Sequence, residues 1–204
     1  SNLGGGTIWP IKTIEEIEIL ARSNGLGIHM DGARLLNAVV ASKISASDYA
    51  KYTDSVWIDL SKGLGCPIGG VLAGSNEFIE KSWLWKQRLG GSMRQSGMMA
   101  AAGIFALDNN IERLENDHKN ARLLAGKLLE IEGIEVNPSL VETNIVICKV
   151  VSKKISATEL VTKLSKIGIR IGALTERELR IVTHLDVNEE QIHTAVEEIS
   201  KIML

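Results

Sequence analysis

The run Ser55-Val56-Trp57-Ile58-Asp59-Leu60, followed by Ser61-Lys62-Gly63-Leu64-Gly65-Cys66-Pro67-Ile68-Gly69-Gly70, constrains this chain more than any other stretch. The first six residues read as a buried strand, and Val71-Leu72-Ala73 is a second short apolar run. Lys62 therefore stands where a strand ends, in a bed of glycines. Glycine permits tight turns and lets a ligand approach the backbone closely. Desolvation of a lysine in such a place frees a nucleophilic amine. A Lys-Gly pair among glycines is also what a surface hairpin loop contains. Taken alone, the stretch favours that plainer alternative; the rest of the chain turns the balance toward chemistry.

Strand and helix patterns alternate before it. Gly4-Gly5-Gly6-Thr7 reads as a loop and not as a phosphate cradle, because no helix start follows directly. Thr13 with Glu16 three residues on reads as a capping box, with Ile14, Ile17, Leu20 and Ala21 as the apolar stripe and Asn24-Gly25 as the stop. Leu26–Asp31 reads as a short buried strand, and Gly32-Ala33-Arg34-Leu35 opens a helix. Asp31 is thus placed at the carboxyl end of a strand, the edge where open α/β sheets bind ligands. A helix cap paired with Arg34 is the structural alternative for it. His29 shares Asp31's strand face, and a hydrogen bond between the two is expected ahead of any catalytic role.

After the lysine loop, a helix is expected from Asn76 to Leu89, with Trp83 and Trp85 as packing or interface residues. Gly90–Gln95 breaks the pattern. One long helix from about Gly97 to Leu129 follows, buried over its apolar first part, Met98–Ile104. Strands near 134–136, 144–150, 169–173 and 179–183, with helices over 156–167 and 188–203, make a compact α+β unit. Two domains are expected, 1–110 and 111–204.

A hydrophobic fraction of 45% is enough for a real core. A net charge of −2 gives no ground for a nucleic-acid or membrane-surface partner. Cys66 and Cys148 show no CxxC spacing and no disulfide framework, which points to a reducing, cytoplasmic compartment. No run is long enough to span a bilayer, and no metal site is put forward. The opening Ser1-Asn2-Leu3-Gly4-Gly5-Gly6 is loop material, so something is expected to precede it.

Asp31, Lys62 31 positions later, Arg34 one helical turn past Asp31, and Arg180 in a strand of the second domain recur together in one chemical design. Pyridoxal phosphate needs a carboxylate at its ring nitrogen and a lysine that takes its aldehyde as a Schiff base. Arginines suit a substrate carboxylate, which they bind bidentately. A nucleotide-binding P-loop around Lys62 fails on spacing, since Ser61 precedes the lysine and Gly63 follows it.

His29-Met30-Asp31-Gly32-Ala33-Arg34 and Ser61-Lys62-Gly63-Leu64-Gly65-Cys66-Pro67-Ile68-Gly69 closely resemble the threonine aldolases, β-eliminating lyases among the fold type I pyridoxal phosphate enzymes. Leu89-Gly90-Gly91-Ser92-Met93-Arg94-Gln95 and Leu179-Arg180-Ile181-Val182-Thr183-His184 are similar too, so the resemblance runs over nearly the whole chain. It implies an α/β large domain with a mostly parallel sheet, incomplete at its amino terminus, and a small carboxyl-terminal α+β domain. It implies retro-aldol cleavage of L-threonine or L-allo-threonine to glycine and acetaldehyde. Lys62 and Asp31 would be catalytic and cofactor-binding. Arg34 would contact the cofactor's phenolic oxygen or the substrate carboxylate, and Arg180 the substrate carboxylate. Arg94 would reach the cofactor phosphate, His184 and His118 are further candidates for the base, and the oligomer would be a dimer of dimers. The family's phosphate-binding loop and ring-stacking side chain are not found here, so the chain looks like the carboxyl-terminal part of such an enzyme, expected to bind cofactor weakly alone. The alternatives are another lyase or transaminase of the same fold, or a non-catalytic dimerisation module.

Overall fold

The computed structural model describes residues 4–204; Ser1, Asn2 and Leu3, read above as loop, lie outside the described residues. The chain divides into two compact units, each with its own sheet. One is Trp9–Glu112, and the other joins Arg113–Leu204 to the described residues 4–8.

In the first unit, α1 (Ile11–Ser23) starts from Pro10 and not from Thr13. The Pro10 carbonyl accepts the N–H groups of Thr13 and Ile14, at 2.9 and 3.3 Å. Proline's fixed φ and missing N–H suit a helix start, so the Thr13–Glu16 pair falls inside the helix. β1 (His29–Gly32) leads to α2 (Leu35–Ser42) and α3 (Ala46–Ala50), then to β2 (Ser55–Asp59) and β3 (Gly70–Gly74). β2 is central; it runs parallel to β1 and antiparallel to β3. Two helices follow, α4 (Asn76–Arg88) and α5 (Gly97–Asn109).

The single long helix expected from Gly97 to Leu129 is two helices. α5 stops at Asn109, and α6 (Leu114–Leu128) starts afresh. Two consecutive asparagines favour helix poorly, and Asn110 has another use: its side-chain amide donates to the Leu64 carbonyl, 2.7 Å away. The expected burial of Met98–Ile104 also fails. Met98 is 77% exposed and Ile104 62%. The core cluster that α5 joins, Leu60, Leu64, Cys66 and Ala106, takes only one stripe of that helix, through Ala102 and Ala106. β3 is exposed along its length, and α4 has no buried residue. β1, expected buried, exposes His29 and Asp31.

The second unit adds β4 (Ile134–Val136), β5 (Ile145–Val150), α7 (Ala157–Lys166), β6 (Gly172–Ala173), β7 (Glu178–Val182) and α8 (Glu189–Met203). The strands order β4-β5-β7-β6, every pair antiparallel. Capping boxes start α7 (Ser156 with Glu159) and α8 (Asn188 with Gln191), each satisfying two otherwise orphaned N–H groups. Leu124, Leu128, Leu160, Leu164 and Ile199 form one core with Val146, Cys148, Val150, Leu179 and Ile181. Burying each such leucine contributes about 2 kcal/mol. Gly6 belongs here: Thr143 Oγ1 donates to its carbonyl at 2.6 Å. Its φ of +78°, with Thr143 Oγ1 only 2.8 Å from where a Cβ would stand, admits nothing larger. The glycine run thus acts as a docking loop against the start of β5. None of the described helices is long and apolar enough to cross a membrane.

Candidate active site

Parallel pairing of β1 with β2 brings their carboxyl ends to one edge. Asp31 stands opposite Trp57, and Gly32 opposite Ile58. The close approach depends on Gly32, because a Cβ there would lie 2.4 Å from the Trp57 carbonyl oxygen. Asp31 Oδ1 accepts the Ala33 N–H at 3.1 Å, fixing the turn that leads into α2. Its carboxyl group nevertheless remains at the exposed edge. Arg34 is the N-cap residue of α2 and gives it no side-chain cap.

His29 does not use its strand face as expected. Its Nδ1 hydrogen-bonds Ser55 Oγ at 2.8 Å, across the directly paired position. Residues two apart on a strand are separated by about 6.7 Å along it, farther than a directly paired neighbour, so the cross-strand hydroxyl wins over Asp31.

β2 ends at Asp59, and the chain reverses through residues 60–69 into β3. Lys62 therefore does lie in a hairpin loop, as the plainer alternative has it. The loop is nonetheless tied down. Leu60, Leu64 and Cys66 are buried with Ala106. Cys66 N–H donates to the Leu60 carbonyl, Leu60 N–H to that of Gly69, and Gly65 N–H to that of Lys62, each at 2.9 Å. Gly65 and Gly69 hold φ of +74° and +119°, values that favour glycine. Cys66 Sγ donates to the Ala102 carbonyl at 3.4 Å, and burial pushes its thiol up from the ordinary value.

The Lys62 side chain is 34% exposed, and its Nζ lies 2.8 Å from Asp59 Oδ2. It also sits over the Trp57 ring, 5.4 Å from the centroid. Ser61 N–H and Oγ both donate to Asp59 Oδ1, at 2.8 and 2.6 Å. Burial pushes the Asp59 carboxyl up, but Lys62 and Ser61 outweigh it and hold the group below its ordinary value. Asp59 is a residue to which sequence reasoning gave no role, although a carboxylate three positions before a lysine at a strand end was a usable signal.

Lys62 and Asp31 thus share one sheet edge in one unit. Arg180 lies in the other unit, on β7 opposite Ile147 and Gly172. Leu179 and Ile181 point into that unit's core, so Arg180 falls on the opposite sheet face. His118 is fully buried in α6, while His184 Nδ1 lies 3.4 Å from Asp186 Oδ2. Arg94 is exposed. Among the described residues, no group of three or more His, Cys, Asp or Glu is placed to hold a metal ion. An apolar cavity of about 250 Å³ between Ile169–Ile171, β7 and α8 contains none of these residues.

The edge can offer a primary amine, an exposed carboxylate, and glycines that let a flat ligand come close. Comparison with known proteins fits that inventory. A family model described as beta-eliminating lyase matches residues 1–151. The chain is 37% identical over 201 residues to low-specificity L-threonine aldolase 1 of Arabidopsis thaliana, covering 98% of this chain and 56% of that protein. It is 39% identical over 191 residues to the low specificity L-threonine aldolase of Escherichia coli K12, covering 94% and 55%. A solved threonine aldolase structure from Leishmania major superposes with a TM-score of 0.75 at 19% identity, covering 98% of this chain and 58% of that one. The chain spans little more than half the length of these curated relatives.

Proposed function

Because the chain belongs to the beta-eliminating lyase family, we propose that it forms part of a pyridoxal phosphate-dependent threonine aldolase that cleaves L-threonine or L-allo-threonine to glycine and acetaldehyde. The observation that carries this reading is the placement of Lys62 and Asp31 at the shared carboxyl edge of β1 and β2. Its second support is the threonine aldolase names of relatives matched over nearly the whole chain.

The donor set fits the cofactor. Lys62 offers a partly exposed primary amine for the aldehyde, and Asp31 an exposed carboxylate for the ring nitrogen. Bound pyridoxal phosphate supplies a ring that accepts the electron pair released when the substrate's Cα–Cβ bond breaks. Asp31 would pair with the pyridine nitrogen of the bound cofactor, where its charge would favour the protonated ring. Arg180 orients the substrate through a bidentate grip on its carboxylate; residue type and half-buried placement support this. Arg34, at the start of α2, serves the phenolic oxygen or the same carboxylate.

Trp9–Glu112 is read as part of the large cofactor domain and Arg113–Leu204 as the small domain. Exposed apolar side chains on α4 and α5, among them Trp83, Trp85 and Phe105, support a homo-oligomer. Two buried free thiols, Cys66 and Cys148, support a cytoplasmic setting. The test is acetaldehyde release from L-threonine and L-allo-threonine by the purified protein supplied with cofactor. Release that disappears in Lys62→Ala is expected; release that survives in Lys62→Ala overturns the reading.

A further inference from the structure

Asp59 is poorly placed to be a mere surface charge. Its side chain is 12% exposed, at the end of β2, and both of its oxygens are engaged: Oδ1 by the backbone and hydroxyl of Ser61, Oδ2 by Lys62 Nζ. The Lys62 loop is itself fixed by buried Leu60, Leu64 and Cys66 and by the bond from Asn110. Asp59 is therefore an anchored carboxylate facing an anchored loop, and the lysine's four-carbon stem is the mobile partner.

We propose that Asp59 is a positioning residue for Lys62: it docks the Lys62 ammonium whenever that amine is not covalently engaged, and so sets how readily the amine reacts. The proposal rests on the reading of Lys62 as the cofactor-binding lysine, but its geometry belongs to this chain alone. An ammonium has no lone pair; before Lys62 Nζ attacks a carbonyl it must give one proton to solvent. The ion pair with the carboxylate 2.8 Å away must also break before Nζ can reach a carbonyl. The Trp57 ring below the amine adds attraction for the cation. Other charged or titratable groups on this sheet and at the start of the adjoining helix are His29 and Asp31 on β1 and Arg34 at α2. His29 is bonded to Ser55 and Asp31 to Ala33 N–H, while β3 carries no titratable side chain. Lys62 pairs with Asp59. Docking leaves the freed lysine at one known place at the sheet edge.

The test is trace acetylation of the cofactor-free protein with acetic anhydride at pH 8, with each lysine's modification followed by peptide mass mapping. Asp59→Asn keeps an oxygen acceptor for Ser61 and removes only the charge. Lys62 labelling is expected to rise about fivefold relative to the other lysines, the scale of a partly exposed charge pair. Asp59→Glu should restore the low labelling in part. Ser61→Ala, which loses the hydroxyl bond to Asp59 but keeps the charge, should leave labelling within about twofold of the wild type. Circular dichroism on each variant confirms that the fold is kept. If Lys62 labels equally in the wild type and Asp59→Asn, or if Ser61→Ala raises labelling as much as Asp59→Asn, Asp59 only shapes the loop and the proposal fails. Failure of the functional reading shows separately, as acetaldehyde release that does not depend on Lys62.

Discussion

The two units of this chain bury their apolar residues very differently. Arg113–Leu204 packs three helices on one face of a four-stranded sheet, around a core that includes Leu128, Leu160, Leu164 and Ile199. Trp9–Glu112 has more helices but fewer buried apolar residues, among them Leu35, Val40 and Tyr49 beside the cluster of Leu60, Leu64, Cys66 and Ala106. Its apolar side chains on β3, α4 and α5 face outward. The contrast shows where each unit's stability comes from. The carboxyl-terminal unit is held by its own side chains. The amino-terminal unit buries one cluster that fixes the lysine loop and further residues on α2 and α3, and leaves much apolar surface on β3, α4 and α5 exposed.

The largest expected effect is chemical and falls in the thinly cored unit. Asp31→Asn keeps the acceptor for Ala33 N–H but removes the charge. Turnover should fall about a thousandfold, or about 4 kcal/mol of lost transition-state stabilisation, while thermal unfolding stays put. Steady-state threonine cleavage beside a melting curve checks both; a large fall in melting temperature would return Asp31 to the role of a turn cap.

Alkaline unfolding sharpens the contrast from the other side. Burial pushes the Cys148 thiol from its ordinary 9.0 up to about 12. A raised folded-state value means a contribution fully present below pH 9 and lost as pH rises through about 12. Over that window it amounts to at most about 4 kcal/mol. Denaturant titrations between pH 8 and 12 should show stability falling with pH, and Cys148→Ala should flatten the slope.

Core truncation comes next. Leu160→Ala should cost about 3 kcal/mol, because Leu160 is fully buried. Met98→Ser, on the exposed face of α5, should change stability by about 0.5 kcal/mol or less. Equal losses in chemical denaturation would mean that α5 is buried in solution, and that the comparison between units is wrong.

Much of this was legible in the sequence, and the misses have physical causes. The helices expected over 156–167 and 188–203 and the β5 and β7 patterns are local signals, and they hold where a core supports them. The same apolar periodicity in α5 misled, because a helix that is apolar all round says it will be covered without saying by which residues. Thr13 lost the helix start to Pro10, whose ring sets the backbone regardless of a side-chain cap. The break at Asn110 depends on a tertiary bond to Leu64, and His29's choice of Ser55 depends on strand register. Neither is written in local sequence. At the site, a lysine among glycines after a strand was readable. Its tie to Asp59 was readable only as a spacing, and the fold of the loop turned that spacing into a 2.8 Å pair.

The central claim is that Lys62 is the amine that takes the cofactor. Borohydride reduction of the protein loaded with pyridoxal phosphate fixes the cofactor permanently to whichever lysine holds it, and peptide mapping identifies that residue. The account predicts the label on Lys62 and its loss in Lys62→Ala. Label on any other lysine, with Lys62 unmodified, would contradict it.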